Sequence, residues 1–228
     1  NALLSAIMKL KEDEVISGIN DRLGNLGAID KKYDVAISTA CRALDNIVVD
    51  TTDAGKKCVA YLRDNKLGSA TFIMLDKLQN TIPKDKYTSK ISTPENVPRL
   101  FDLVKPKNEK YRIAFYFALR DTLVAENLDQ AVRIGYAKDQ SWRIVTLKGE
   151  LIETSGTLSG GGNQIMSGGM GSSILPEVSQ KDLKAAEKEV KVCTESMQKL
   201  IARKTNVTQQ LKQIEEEHNK LELTISKI

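Results

Sequence analysis

Histidine occurs once in this chain of 228 residues, at His218, and tryptophan once, at Trp142. One histidine leaves little material for a metal centre or a Ser-His-Asp triad. Cysteine occurs three times, as Cys41, Cys58 and Cys193, an odd count without CxxC spacing. That excludes a disulfide framework and a zinc ribbon, and a reducing, intracellular compartment is the economical reading. Aromatic residues make up only 5% of the chain, and no run approaches the roughly 18 consecutive apolar residues of a membrane span. No basic-then-apolar export signal stands at the start, and a chain that opens on Asn1 rather than Met reads as a piece of a longer protein. What is abundant is charge, at 28%, beside 41% hydrophobic residues and a mean hydropathy of −0.31. The chain is too polar for a membrane protein and too apolar for a disordered one, with room for a large helical part.

From residue 181 to 228 there is no glycine and no proline. Steps of three and four there pick out Leu183, Ala186, Val190, Cys193, Met197, Leu200, Lys204, Val207, Leu211, Ile214, His218, Leu221, Ile225 and Ile228. Only Lys204 and His218 break that apolar stripe, and a 3-4 repeat held this long is a coiled-coil signal. The alternative is one amphipathic helix lying on a globular core. His218 at a seam position reads as a register-setting polar residue rather than a ligand. Leu3, Ile7 and Leu10 have the same spacing, so the first residues read as an inbound helix running antiparallel to the outbound one.

Between the two lies mixed patterning. Residues 35–44 read as helix, 46–50 as a short buried strand, and 53–65 as a helix capped by Thr51, Thr52 or Asp53, with Cys58, Val59 and Leu62 inward. Residues 70–75 and the wholly apolar 113–119 read as strands, and 127–135 as a short helix. Residues 142–146 and 151–154 flank Lys148-Gly149-Glu150, a hairpin turn. Pro83, Pro94 and Pro98 mark a connector between two units of similar make-up. The expected divisions are 1–14 inbound helix, 15–82 first subdomain, 83–98 connector, 99–176 second subdomain and 177–228 outbound helix.

Glycine concentrates in residues 156–171, and Leu158-Ser159-Gly160-Gly161-Gly162 looks like the signature loop of an ABC-type ATPase. Yet no GxxxxGK[ST] motif occurs, so nothing would hold Mg²⁺ or the terminal phosphates, and no cofactor or metal is expected. Glycine there suits close approach of another backbone. The GxxG spacing around Leu23 and Leu26 reads as a packed turn. Asp30, Asp34, Asp45 and Asp50 form no catalytic pair. Asn206-Val207-Thr208 matches a glycosylation acceptor but lies within the helical stripe. Residues 77–120 carry a net charge of +6. Lys105, Lys107, Lys110 and Arg112 gather beside Tyr111, with Lys84, Lys86 and Lys90 upstream; they read either as a phosphate-neutralising surface or as ordinary solvated loops. Lys56-Lys57 is a weaker candidate of the same kind.

The sequence resembles the hinge of SMC (structural maintenance of chromosomes) proteins. The likeness runs through 18–27 (GINDRLGNLG), 33–40, 44–51 (LDNIVVDT), 70–78 (ATFIMLDKL), 97–104, 125–134 and 145–162 (VTLKGELIETSGTLSGGG). The tail from Gly160 to Ser173 is most like the fourth eukaryotic class, the larger SMC subunit of condensin. One departure is Asn20-Asp21, near which the family usually has a glycine. The resemblance implies an α+β fold of two small related subdomains, inserted between two strands of an antiparallel coiled coil. It implies pairing with another SMC hinge, in condensin the second-class subunit, through strands of opposite subdomains. The matching interface glycines are Gly156, Gly160 and Gly161, with Gly162 adjacent; the opposing edge would include Ala70, Phe72 and Met74. It further implies DNA contact, a nuclear and chromosomal location with a cytoplasmic pool, no membrane, and ATPase heads outside this chain. The isolated fragment would be a monomer or a weak homodimer. A DNA-binding module acting through the basic segment is the alternative reading, and an enzyme, motivated by the glycine loop alone, is the third.

Overall fold

The computed structural model describes residues 2–137, 141–162, 165–174 and 180–225. Helix α1 (Ala2–Glu12) leads into strand β1 (Ile19–Arg22), followed by β2 (Gly27–Ala28), α2 (Asp34–Ala40), β3 (Ile47–Val49) and α3 (Thr52–Asp64). Strand β4 (Phe72–Met74) runs directly into α4 (Leu75–Thr81); α5 (Lys84–Thr88) lies within the proline-marked connector and α6 (Leu100–Leu103) follows it. The second half holds β5 (Lys105–Pro106), α7 (Arg112–Leu119), β6 (Leu123–Ala125), α8 (Leu128–Gly135), β7 (Ile144–Thr146), β8 (Leu151–Ile152) and β9 (Leu158–Ser159). Residues 1–174 form one unit and 175–228 a second, which contains α9 (Gln180–Ile225).

Two principal sheets organise the first unit. One has the order β1-β3-β4, with β3 and β4 parallel (Ile47 opposite Phe72, Val49 opposite Met74). The other has the order β6-β7-β8-β9, parallel between β6 and β7 and antiparallel beyond. A two-stranded ladder of β2 with β5 links the halves. The largest core cluster draws on both, from Leu23 and Ile37 through Ile73, Leu100 and Phe115 to Val145 and Met170. Ile7 and Leu10, given coil spacing in the sequence, are buried in a second cluster with Ile19, Ile47, Val49 and Cys58.

Local chemistry accounts for several helix starts. The Thr51 side chain accepts from the Ala54 N–H at the start of α3, and Asn127 accepts from the Gln130 N–H at the start of α8. Three expectations need correction. Residues 113–119 are a helix, not a strand: Ile113, Ala114, Phe115, Tyr116 and Leu119 are all buried, because α7 packs against α4, α5 and α6. A helix covered on most sides loses its polar stripe, and a short apolar run cannot then be told from a strand by period. Asn108, whose side chain accepts from the Lys110 N–H, was the available start signal. Val59, expected inward, is 51% exposed. Ala70 precedes β4 rather than belonging to it.

The departure at Asn20 has a structural role. Its side chain donates to Asp50 Oδ1 at 2.9 Å and accepts from the Tyr111 hydroxyl at 2.8 Å, joining β1 to the second half of the chain. Leu23 and Leu26 are buried, as a packed turn requires.

In the second unit α9 is 46 residues long, about 70 Å at 1.5 Å per residue. Val190, Met197, Leu200, Val207, Leu211 and Ile214, all on the seam read from the sequence, are more than half exposed. The side chains of Leu183, Leu221 and Ile225, and residue Ile228, lie outside the described residues.

Candidate functional site

Among the described residues each principal sheet has two terminal strands, β1 and β4 in the first and β6 and β9 in the second. Arg99 bridges to β6, and the Pro98 carbonyl accepts from its Val124 N–H. The Asn20 carbonyl of β1 accepts from Lys11, and β4 and β9 are left as the open edges. An open edge presents unpaired N–H and C=O groups, so it is the natural place for another strand to add.

At the first edge, side chains alternate across the pleat. Ile73 is buried in the main core, while Phe72 and Met74 are half-buried against the α1–α3 cluster, together with Ala70. Helix α3 backs this strand: a Cβ on Gly55 would lie 3.5 Å from Met74 Cγ. Asp76, just past the strand, accepts from the Thr52 N–H at 2.8 Å. That bond holds the Asp76 carboxyl below its ordinary value and ties the end of β4 to the start of α3.

At the second edge, Leu158 and Ser159 of β9 face Ile152 and Leu151 of β8. Both residues of β9 are exposed. Gly156 closes the turn, with a φ of 89° that suits glycine, and its carbonyl accepts from the Tyr136 hydroxyl at 2.9 Å. Beyond the strand the glycines differ. A Cβ on Gly160 would sit 2.9 Å from Glu150 Cγ, whereas one on Gly161 or Gly162 would meet nothing within 4 Å. Gly161 and Gly162 are therefore open toward any approaching chain. They border a cleft of about 550 Å³ whose walls include Arg42, Arg143, Lys148, Ile165 and Met166. Arg143 is already engaged: it grips Glu153 through two bonds of 2.8 and 3.0 Å and donates to the Ala40 carbonyl. The same guanidinium holds the Glu153 carboxyl below its usual range.

The rest of the glycine-rich segment approaches its own chain instead of another. The Gly169 N–H donates to Ser38 Oγ, Arg22 donates to the Gly169 carbonyl at 3.0 Å, and Gly171 forms a bridge with Ala28. Met170 is buried in the main core. One signal in the sequence separates 168–171 from 160–162: the apolar Met170 set among the glycines.

The basic candidates also divide. Lys84, Lys86 and Lys105 are exposed and Lys107 is half-buried. Lys110 pairs with Asp50 at 3.2 Å, and Arg112 donates to the Tyr87 carbonyl and stands 3.7 Å from Glu109. These two cations are committed within the fold. Sequence reading missed Arg120, which lies over the rings of Tyr116 and Phe117, the latter 39% exposed.

Among the described residues no group of three or more His, Cys, Asp or Glu could hold a metal. Burial pushes the Cys41 thiol up to about 11 and raises that of Cys58, so neither is a thiolate near neutrality.

The family model described as the flexible hinge domain of SMC proteins matches residues 16–135. Structural maintenance of chromosomes protein 4 of Xenopus laevis is 48% identical over 225 residues, 99% of this chain and 17% of that protein. Its Saccharomyces cerevisiae counterpart is 55% identical over 168 residues, 73% of this chain and 11% of that one. The chain thus spans under a fifth of these relatives. Among solved structures, a Pyrococcus furiosus Smc hinge domain with an extended coiled coil is similar with a TM-score of 0.54 and 31% identity, over 70% of this chain and 56% of that one. An asymmetric dimer of the Geobacillus stearothermophilus SMC hinge domain shares the fold at a TM-score of 0.56 and 23% identity, over 88% of this chain and 76% of that one.

Proposed function

Because this chain belongs to the family of SMC flexible hinge domains, we propose that it works without catalysis as a heterodimerising hinge of condensin. Its partner is the hinge of the second-class condensin SMC subunit. Residues 15–82 and 99–176 act as the two subdomains, on either side of the 83–98 connector. Residues 1–14 and 177–228 belong to the arms, and pairing joins two such arms around chromosomal DNA in the nucleus. The observation that carries this reading is the pair of open edges, β4 and β9, at the ends of separate sheets. Each hinge then has one edge of each kind to offer, so two hinges can close on each other through two contacts, with Ala70, Phe72 and Met74 at one and Gly156, Gly160, Gly161 and Gly162 at the other.

Gly161→Glu tests the reading. A Cβ here meets nothing within 4 Å of its own chain. Gly161→Ala, which shares the strain of a φ of 80° without the bulk, is the control for a Glu side chain that stands where a partner backbone must come close. Sedimentation equilibrium with the partner hinge is expected to show a one-to-one complex for the parent and an affinity at least about 100-fold lower for the variant, roughly 2.7 kcal/mol. Equal affinities would sink the assignment of the glycine edge.

DNA contact is the second reading, favoured by the exposed Lys84, Lys86 and Lys105. Each phosphate neutralised contributes about 0.7–0.9 to the slope of log affinity against log salt. Lys84→Gln/Lys86→Gln is expected to weaken binding to a DNA oligonucleotide and flatten that slope by about 1.5. Lys110→Gln, which removes a cation already paired with Asp50, leaves the slope as it was. A slope unchanged in the double variant would exclude these lysines.

A further inference from the structure

Strand β9 is two residues long and β4 three. Edges this short supply only a few backbone hydrogen bonds, each worth little net in water, too little to offset the cost of bringing two bodies together. Affinity must come from apolar side chains beside the edges.

Helix α8 provides them. Leu128 and Val132, with Tyr136 at the cap just past its last residue, recur every four residues and so share one face, and they are 37%, 38% and 47% exposed. Another face of the helix, with Ala131 and Ile134, is buried against the second sheet. The Tyr136 hydroxyl bonds to the Gly156 carbonyl, so this stripe reaches the turn into β9, where Leu158 is 49% exposed. Beside the other edge, α3 backs β4 and turns Val59 outward. The two helices also differ in exposed charge. Glu126 and Asp129 stand at the start of α8, whose Arg133 is paired with Glu95, while on α3 Asp53 pairs with Lys57 and Arg63 with Asp64, leaving the exposed Lys56.

Resting on the reading that the edges pair, we infer that the Leu128–Val132–Tyr136 stripe of α8 packs on the edge-backing helix of the second hinge and supplies most of the affinity. That helix corresponds to α3, which presents an apolar residue flanked by lysine. Backbone pairing of β9 sets the register. Tyr136 is the expected anchor, a large ring with a tethered hydroxyl at the border of strand and helix.

The test measures pairing with the second-class condensin SMC hinge by sedimentation for Val132→Asp, Tyr136→Ala and Gly161→Glu, with urea midpoints taken alongside. Val132→Asp and Tyr136→Ala are expected to keep the parent's midpoint within a few tenths of a molar and to weaken pairing 30-fold or more. If Gly161→Glu breaks pairing while both α8 variants stay within threefold of the parent, the α8 inference is overturned and the edge reading stands. Pairing retained in all three variants overturns the edge reading itself.

Discussion

Gly24→Ala is expected to destabilise the globular unit by about 3 kcal/mol, a large effect for one methyl group. A Cβ at this position would lie 2.1 Å from the Gly169 carbonyl oxygen, whereas carbon–oxygen contacts in proteins seldom come below about 3.3 Å. The φ of Gly24 is not positive, so alanine suits the backbone and the clash is the whole cause. The obstacle is backbone, which cannot swing away as a side chain would. Relief requires the 168–171 segment to leave its seat, breaking the Arg22 bond to Gly169 and uncovering Met170. Urea unfolding checks the energy, and hydrogen exchange at Ile29, whose N–H donates to the Gly171 carbonyl, checks the mechanism. A variant within 0.5 kcal/mol of the parent would show that the segment does not sit there in solution.

Arg99→Met carries the second large effect, about 2–3 kcal/mol. The Arg99 side chain is 1% exposed and donates to Asp102, Asp121 and the Ser89 carbonyl. Burial opposes its charge, but the bonds to Asp102 and Asp121 outweigh burial and raise its pKa above the ordinary value. Breaking a fully buried ion pair costs about 3–5 kcal/mol. The figure here is smaller because Asp102 and Asp121 are 39% and 46% exposed and can rehydrate. Methionine replaces much of the apolar stem but not the guanidinium, which lies 5.0 Å from the centre of the Phe101 ring. Loss of the Ser89 bond should also free the connector, so faster proteolysis between residues 83 and 98 is expected beside the lower urea midpoint. Unchanged stability and cleavage would assign Arg99 no bracing role.

Both positions bear on how far the fold was readable beforehand. The capped start of α3, read as one of Thr51, Thr52 and Asp53, the short helix after Asn127, the hairpin around Lys148-Gly149-Glu150 and the long α9 were legible because their signals involve residues within a few positions of one another. Helix α7 was not. Its partners α4, α5 and α6 remove the polar face on which a helical period depends. Arg99 reads in the sequence as one more cation of a basic segment, and only its partners Asp102 and Asp121 take it out of that count.

The candidate site divides along the same line. Composition and motif alone determined a charge-rich protein with a large helical part and no phosphate-binding lysine motif, with an apolar stripe along one helix and a run of glycines suited to close approach. Tertiary structure alone decided which glycines stay open. Gly161 and Gly162 have free space, while Gly169 is spent on Ser38 and on Arg22, 147 positions earlier in the chain. It also decided which cations already have a partner, since Lys110 pairs with Asp50 from 60 positions away. The physical reason is range. Caps, turns and periodicity are fixed by neighbours along the chain, whereas an open edge, an open glycine or an uncommitted charge is defined by what the rest of the fold leaves uncovered.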